Sequence, residues 1–328
     1  MTVCEPLRGL IPNSTVRPAS LADVPAVTAL MQQVATDMIG EPDATPSEVR
    51  DDLIMPRFEM STDTALVIAD EKAVVYAQAH DEHDERAFVD VFIDPTLDDE
   101  LFAKVADGAV AGALARVREA MTIRGGKNSM VGTGLYQGER RMVAAYQRAG
   151  LMRSHVYWRM SKALSTDVEI DVCMPVGVTI RSVDPDDQEV MIAALSLENE
   201  TFREHHGHVD KNITDFADSW RNTSRYDRGA WWFAYLDGEL VGLCLGDEGK
   251  VEKNAGYVCT LGVVKKARGR GVAKALLLTS FSEYQRRGRS AVELGVDSAN
   301  ETGATRLYES VGMSTKIVID SMEMPISV

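Results

Sequence analysis

An internal repeat limits the folds that this 328-residue chain can adopt. The stretch TVRPASLADVPAVTAL, which starts at Thr15, matches TIRSVDPDDQEVMIAAL, which starts at Thr179. Near the end of each half, AAYQRAGLMRSHVYWRM with Tyr146 matches RLYESVGMSTKIVIDSM with Tyr308. Two copies of this length are typical of a duplicated domain and not of a solenoid, which needs three or more short repeats.

The order of patterns within each half predicts a mixed α/β (α+β) fold. A short strand and an amphipathic helix come first, followed by two strand-like runs around a tight turn, which is Asp237-Gly238 in the second half. A further strand, a long helix, another strand, the tyrosine-bearing helix and a last strand pair complete the half. We predict a mixed, mostly antiparallel sheet flanked by helices in each of two domains, residues 1–163 and 179–328, joined by a linker at 164–178.

Composition narrows the class of partner. The chain has 50 acidic and 35 basic residues, a net charge of −15, and no basic block. This argues against binding to nucleic acid, where phosphates must be neutralised. The surplus of acid favours a cationic small molecule as partner, although it also serves simply to keep a protein in solution.

The cysteines and the first residues of the chain give further expectations. The four cysteines are far apart, without a CxxC pair or clustered histidines, so we predict neither a disulfide framework nor a bound metal. The opening MTVCEPLRGLIP does not resemble a secretory leader, and no apolar run approaches the length of a membrane span. We predict a cytoplasmic protein without a membrane partner, either a monomer or a homodimer.

The segment KKARGRGVAKALLL forms a glycine-bearing corner between a strand and a helix. The strand YVCTLGVV ends before it, and the helix begins within it. Glycines let backbone N–H groups converge there, and the helix adds its free amides and the positive end of its dipole. Together with Arg268 and Arg270, this predicts a phosphate or diphosphate site. A Walker loop is excluded because Lys274 is not followed by Ser or Thr, and a dinucleotide fold because antiparallel strands precede the corner.

The same residues resemble the acetyl-CoA signature of GCN5-related N-acetyltransferases (GNAT), in which Arg268, Gly271 and Ala273 match the pattern. The downstream DSANETGATRLYESVGM is similar to the family's second motif. The resemblance covers most of the second half, and the repeat extends its fold to the first, a plan similar to the tandem-GNAT group that includes mycothiol synthase. Coenzyme-binding positions implied by the resemblance are Leu261, Gly262, Val263, Arg268, Gly269, Arg270, Gly271, Val272, Ala273, Lys274 and Asn300.

The resemblance also implies the chemistry. Backbone near Leu261 would polarise the thioester carbonyl, and Tyr308 would donate a proton to the departing thiolate, a role that suits a phenol at neutral pH. The base is predicted to come from LENETFREHHGHVD, with Glu204, His205 and His206 as candidates, although an exposed polar loop without a catalytic role is an alternative for each residue. Mycothiol synthase-like chains have a glutamate near the start of the central strand, where this chain has Tyr257.

Two nearby residue types are predicted to be structural. Cys259 lies on the same strand, but no His or Asp partner can be assigned to it from sequence, so ordinary packing is expected. Trp231 and Trp232 are adjacent on a strand, so at least one of them must point into the core.

The first half has an acidic sequence at its equivalent corner. When the two halves are aligned, Asp98, Asp99 and Glu100 of DPTLDDELF occupy the positions of the glycine-arginine turn of the second half. Three carboxylates suit a helix start but repel a diphosphate. We therefore predict that the first half keeps the fold without binding coenzyme in the usual way, and that Tyr146 is a core residue.

These observations together predict an enzyme that uses acetyl-CoA as co-substrate and no metal. The second half would move an acetyl or other acyl group to a primary amine of a small molecule by direct attack. Two alternatives remain open from sequence: a non-catalytic module that binds and senses acyl-CoA, and an acetyltransferase for protein amines.

Overall fold

The computed structural model describes residues 2–83, 86–125, 128–165, 168–203, 210–300 and 303–327. Contacts divide the chain into two compact units. The first comprises Met1–Tyr157 and Ile317–Val328, and the second comprises Trp158–Lys316. The predicted boundaries were 1–163, 164–178 and 179–328. The units differ from them chiefly at the last strand, because its residues from Ile317 onward belong to the first unit.

The first unit contains one sheet with helices on both faces. Its helices are α1 (Val24–Ile39), α2 (Pro46–Leu53), α3 (Met60–Asp63), α4 (Asp99–Arg124) and α5 (Arg140–Arg148). Its strands are β1 (Thr15–Arg17), β2 (Thr64–Ala69), β3 (Lys72–His83), β4 (Arg86–Ile93), β5 (Asn128–Tyr136), the beginning of β6 (Met152–Ala163) and most of β12 (Ser314–Ser327). The strand order β1-β2-β3-β4-β5-β12 is antiparallel except for the β4–β5 pair.

Alternation along the strands gives the first unit two apolar layers. Val67 and Val75 belong to the cluster that packs on α4, whereas their neighbours Leu66 and Tyr76 belong to the cluster that packs on α1 and α2. This is the period of two expected of a strand buried on both faces. Local signals set the helix ends: α1 stops at Gly40 with φ 79°, a left-handed conformation that favours glycine.

The second unit repeats this order. Its helices are α6 (Gln188–Phe202), α7 (Ile213–Arg221), α8 (Val272–Arg286) and α9 (Ala304–Ser310). Its strands are β7 (Val178–Ser182), β8 (Trp231–Leu236), β9 (Glu239–Asp247), β10 (Ala255–Val263), β11 (Ala291–Asp297) and the part of β6 from Trp158. The order is β6-β11-β10-β9-β8-β7, with β10 and β11 parallel and the β7–β8, β8–β9 and β9–β10 pairs antiparallel.

The core of the second unit is built from large side chains on both faces of its sheet. On the α7 side, Trp231 is fully buried against Trp220, with ring centroids 4.9 Å apart. On the α8 side, Tyr284 is buried and its hydroxyl donates to the carbonyls of Asp247 and Tyr257. The predicted mixed fold, with a mostly antiparallel sheet flanked by helices in each half, is confirmed.

Candidate active site

The central strands of the second unit separate where the sequence predicts the coenzyme arm. The parallel pairing runs from Ala255 opposite Ala291 to Val258 opposite Leu294, while β10 continues to Val263. Beyond Val258, the described sheet pairing of β10 is with β9 alone. Residues 261–263 therefore have no described strand partner on their other edge, where an extended ligand can pair, although the Val263 carbonyl already accepts from Arg268 Nε.

A bulge lies at this point of separation. Val258 is opposite Gly246 and Thr260 is opposite Leu245, so Cys259 is the extra residue of β10. Such a bulge breaks the regular ladder and re-aims the backbone groups beside it. The equivalent part of β4 has none: Val89 to Ile93 pair with β3 in unbroken register. The two units therefore differ in backbone geometry as well as in sequence.

The glycine-arginine turn forms a cradle, residues 268–274, at the start of α8. Gly269 has φ 75°, and Gly271, with φ 80°, is the N-cap residue and provides no side chain to cap the helix. The first amides of α8 are therefore open to a ligand anion. Arg268 joins the cradle to the strand, because its Nε donates to the Val263 carbonyl over 3.1 Å. Arg270 and Lys274 are exposed beside it.

The equivalent helix start in the first unit is already occupied by the protein's own carboxylates. Asp98 is the N-cap of α4, and its Oδ1 accepts from the Leu101 amide over 3.0 Å. Glu100 accepts from Lys104 over 2.7 Å. An anion at this end would meet a negatively charged cap and find its amide taken. The geometry supports the prediction that this unit binds no coenzyme in the usual way.

The two equivalent tyrosines differ in the hydrogen bonding of their hydroxyl groups. Tyr146 is fully buried, and its hydroxyl donates to the Val89 carbonyl over 3.0 Å, so it is a core residue as predicted. Tyr308 on α9 is 7% exposed, and within the described residues its hydroxyl has no hydrogen-bond partner. Burial raises the pKa of Tyr308 to about 12, so the phenol holds its proton at neutral pH.

A buried glutamate that the sequence did not single out lies beside the bulge. Glu198 on α6 is 8% exposed, and its Oε2 accepts from Thr260 Oγ1 over 3.2 Å. Its Oε1 accepts from Lys211 Nζ over 2.8 Å. In the sequence Glu198 is one of several acids and histidines in a polar stretch, and its burial and its contact with Thr260 set it apart.

The expectation that Cys259 has no acid partner is wrong. Its Sγ donates to Asp247 Oδ2 over 3.0 Å, across the β9–β10 pair. Asp247 is almost fully buried, and burial raises the pKa of its carboxyl group. Cys259 itself is exposed, so it is not the packed core residue that was expected. The register shift at the bulge brings the two side chains together, which sequence spacing could not show.

The remaining predicted residues fall into three groups. Asn300 lies in the turn after β11, where its amide donates to the Asp297 carbonyl over 3.0 Å. Glu204, His205 and His206 lie outside the described residues. Trp231 is fully buried, as expected for one of the two tryptophans, and Trp232 is partly buried. Both indole nitrogens are buried and have no hydrogen-bond partner in the described part of the chain.

The described residues contain neither a metal cluster nor a membrane-spanning helix. In the part of the chain that the structure describes, no three or more His, Cys, Asp or Glu residues converge as metal ligands would. Over the same residues, no helix combines the length and the apolar character needed to cross a membrane.

The geometry of the second unit agrees with comparisons to known proteins. Residues 191–313 match the model of the acetyltransferase (GNAT) family. Over these residues the chain is similar to the GNAT acetyltransferase family. The mycothiol acetyltransferase of Thermobispora bispora is 31% identical over 181 residues, and that of Thermomonospora curvata is 32% identical over 178. Each match covers 53% of this chain and somewhat over half of the relative, 58% and 56% respectively.

Solved structures extend the likeness to both units. A GCN5-related N-acetyltransferase from Sphaerobacter thermophilus is 25% identical, with a TM-score of 0.78, and the match covers 97% of each chain. A tandem GNAT protein from the clavulanic acid biosynthesis pathway has a TM-score of 0.64 at 15% identity, covering 95% of this chain and 98% of that one. The second likeness concerns the fold alone.

Proposed function

We propose that the second unit transfers an acetyl group from acetyl-CoA to a primary amine of a small molecule by direct attack. The observation that carries the proposal is the open helix start at Gly271, flanked by arginines and placed directly after a strand that leaves its parallel partner. The first unit, with its acid-capped helix, is proposed to serve the fold and the acceptor and not to bind coenzyme.

The residues of the cradle fit a diphosphate. The amides at the start of α8 would donate to it, and Arg268 and Arg270 would neutralise its charge. The open backbone edge of residues 261–263 would pair with the pantetheine arm, with Asn300 at the end of the neighbouring strand. Acetyl-CoA supplies, when bound, an acetyl group activated as a thioester.

Two residues would move the protons that the transfer requires. An amine must lose a proton to attack, and Glu198, a buried carboxylate beside the bulge, would accept it, directly or through water. The leaving thiolate must gain a proton, and the hydroxyl of Tyr308, which makes no hydrogen bond among the described residues, would donate it. Glu204, His205 and His206 remain candidates for the base from sequence.

Coenzyme binding and thiol release test the proposal together. Calorimetry with CoA is expected to give one site per chain, lost in Arg268→Ala and retained in Arg148→Ala, whose arginine pairs with Asp107 on the surface of the first unit. Free thiol is expected to appear from acetyl-CoA only with an amine present. Binding without thiol release across a panel of small amines and peptides would favour the sensing module instead, and release with peptides alone would favour protein acetylation.

The role of Glu198 has a matched control on its own helix. Glu198→Gln is expected to lower kcat/KM by about a hundredfold, as loss of a general base does, with an unchanged Kd for CoA. Glu200→Gln, an exposed position two residues along α6, should leave both unchanged. If the rate loss of Glu198→Gln is absent, the base lies elsewhere, and Glu204, His205 and His206 become the next positions to substitute.

A further inference from the structure

A cavity lies inside the first unit, away from the cradle. Its volume is about 220 Å³, and it is lined by residues of α1, α2 and strands β3, β4 and β5. The polar groups on its wall are Asp52, Tyr76, Gln78 and Asp90. Drug-sized ligands occupy sites of roughly 300–1,000 Å³, so this cavity has room for a smaller metabolite.

The polar side chains form an ordered chain of hydrogen bonds that ends on a carboxylate. The Tyr76 hydroxyl donates to Gln78 Oε1 over 2.8 Å, and Gln78 Nε2 donates to Asp90 Oδ2 over 3.1 Å. Thr133 Oγ1 donates to the other carboxylate oxygen of Asp90, at the longer distance of 3.3 Å. Tyr76 and Gln78 are 2% and 6% exposed, so the chain holds its geometry within the core. A carboxylate has about four acceptor positions, and Asp90 has capacity for a further donor.

The electrostatics of the cavity favour a positive charge. Asp52 and Asp90 both lie on its wall, and none of the described lining residues is basic. Burial raises the pKa of Asp90, and burial together with these two carboxylates raises the pKa of Tyr76. Both shifts have the sign produced by negative charge that is poorly solvated. A cationic ligand would offset the free-energy cost of burying these carboxylates.

An aromatic wall adds a second reason for a cation. The rings of Tyr76 and Phe92 are stacked, with centroids 6.4 Å apart and planes 18° apart, and both residues line the cavity. The negative face of an aromatic ring attracts an ammonium group. A site with carboxylate, amide and aromatic groups is suited to an organic ammonium ion that donates hydrogen bonds through its nitrogen.

We infer that this cavity of the first unit binds a small organic amine in its ammonium form, held by Asp90 through a charged hydrogen bond and by Asp52 and the Tyr76–Phe92 wall. The site is separate from the cradle and from Glu198, which belong to the second unit. The first unit thus has a ligand of its own although its helix start repels coenzyme. This inference does not depend on the proposed acetyl transfer.

Calorimetry on the full chain without coenzyme tests the inference. The probes are ethanolamine, putrescine and choline, with ethylene glycol as a neutral match and potassium chloride as an inorganic cation. At least one amine is expected to bind, and Asp90→Asn is expected to weaken it about tenfold, the effect of removing a hydrogen bond to a charged group. Asp107→Asn removes the same charge from an exposed position on α4 and should change nothing.

Two further variants keep the result decisive. Glu198→Gln should leave amine binding to the cavity intact, which separates this site from the proposed acceptor site of the second unit. If Asp90→Asn does not fold, Phe92→Leu is expected to weaken the same amine by removing the ring. The inference is overturned if no amine binds better than ethylene glycol, if potassium binds as well as the amines, or if a folded Asp90→Asn or Phe92→Leu binds them as the parent does.

Discussion

The two equivalent tyrosines allow one substitution to be tested in two environments. Tyr146→Phe and Tyr308→Phe each remove a single hydroxyl from a buried ring on a corresponding helix. One hydroxyl donates to a backbone carbonyl, and the other has no partner within the described residues. If this difference in bonding decides their roles, one variant should lose stability and the other should lose activity.

The expected magnitudes follow from the bonds. Tyr146→Phe removes a buried hydrogen bond of 3.0 Å to the Val89 carbonyl, which should lower the free energy of unfolding by about 1 kcal/mol. Tyr308→Phe removes no described hydrogen bond, so its free energy of unfolding should stay within about 0.5 kcal/mol of the parent. Loss of a general acid should instead lower its kcat by about a hundredfold or more.

Two assays on the same preparations measure these effects. Urea unfolding gives the change in stability, and release of free thiol from acetyl-CoA with an amine acceptor gives kcat. Because burial raises the pKa of Tyr308 to about 12, the parent should show no loss of rate from ionisation of this phenol up to about pH 11. The coenzyme Kd of Tyr308→Phe should match that of the parent.

Either of two results would contradict these roles for the two tyrosines. Full activity in Tyr308→Phe would show that the Tyr308 hydroxyl has no part in proton transfer. A loss of stability in Tyr308→Phe equal to that in Tyr146→Phe would show that its hydroxyl has a structural partner after all.

Three further predictions concern the backbone, pH and packing. Gly271→Ala places a side chain at φ 80° and 3.0 Å from Pro175 Cγ, so the affinity for CoA, measured by calorimetry, should fall about tenfold. An unchanged affinity would contradict the proposal that the cradle binds the diphosphate. The pKa of Asp23 is lowered to about 2, chiefly by its hydrogen bond from Arg17. The ionised Asp23 should therefore add about 2 kcal/mol to the free energy of unfolding above pH 4, and this contribution should vanish as the pH falls towards 2. Asp23→Asn should abolish this pH dependence in acid unfolding curves. Gly256→Ala would push a methyl group into the buried ring of Tyr284 and should cost about 2 kcal/mol or more in urea unfolding, whereas a neutral result would mean that the ring moves freely.

Prediction of the fold succeeded because its signals are local and occur twice. The helix and strand patterns follow side-chain periodicity, and the turn at Asp237-Gly238 needs no distant contact. The predicted domain boundaries assume that each domain is one continuous stretch of the chain. Instead, β12 at the end of the chain pairs with β5 of the first unit, with Ile319 opposite Tyr136. Which strand pairs with β12 depends on which sheet edge is free in the folded chain, and the residues of β12 alone do not specify it.

The difference between the two helix starts follows from the sequence alone, because a cap depends on residues within one turn of each other. Gly271 has no side chain, so it leaves the first amides of α8 uncapped, whereas the carboxylate of Asp98 accepts from an amide of α4. Tertiary structure alone decided which side chains meet across elements: Thr260 and Glu198 are 62 positions apart in the chain, and the bulge that turns Cys259 towards Asp247 arises from strand register. Such contacts depend on how whole elements pack, and no spacing within one segment specifies them.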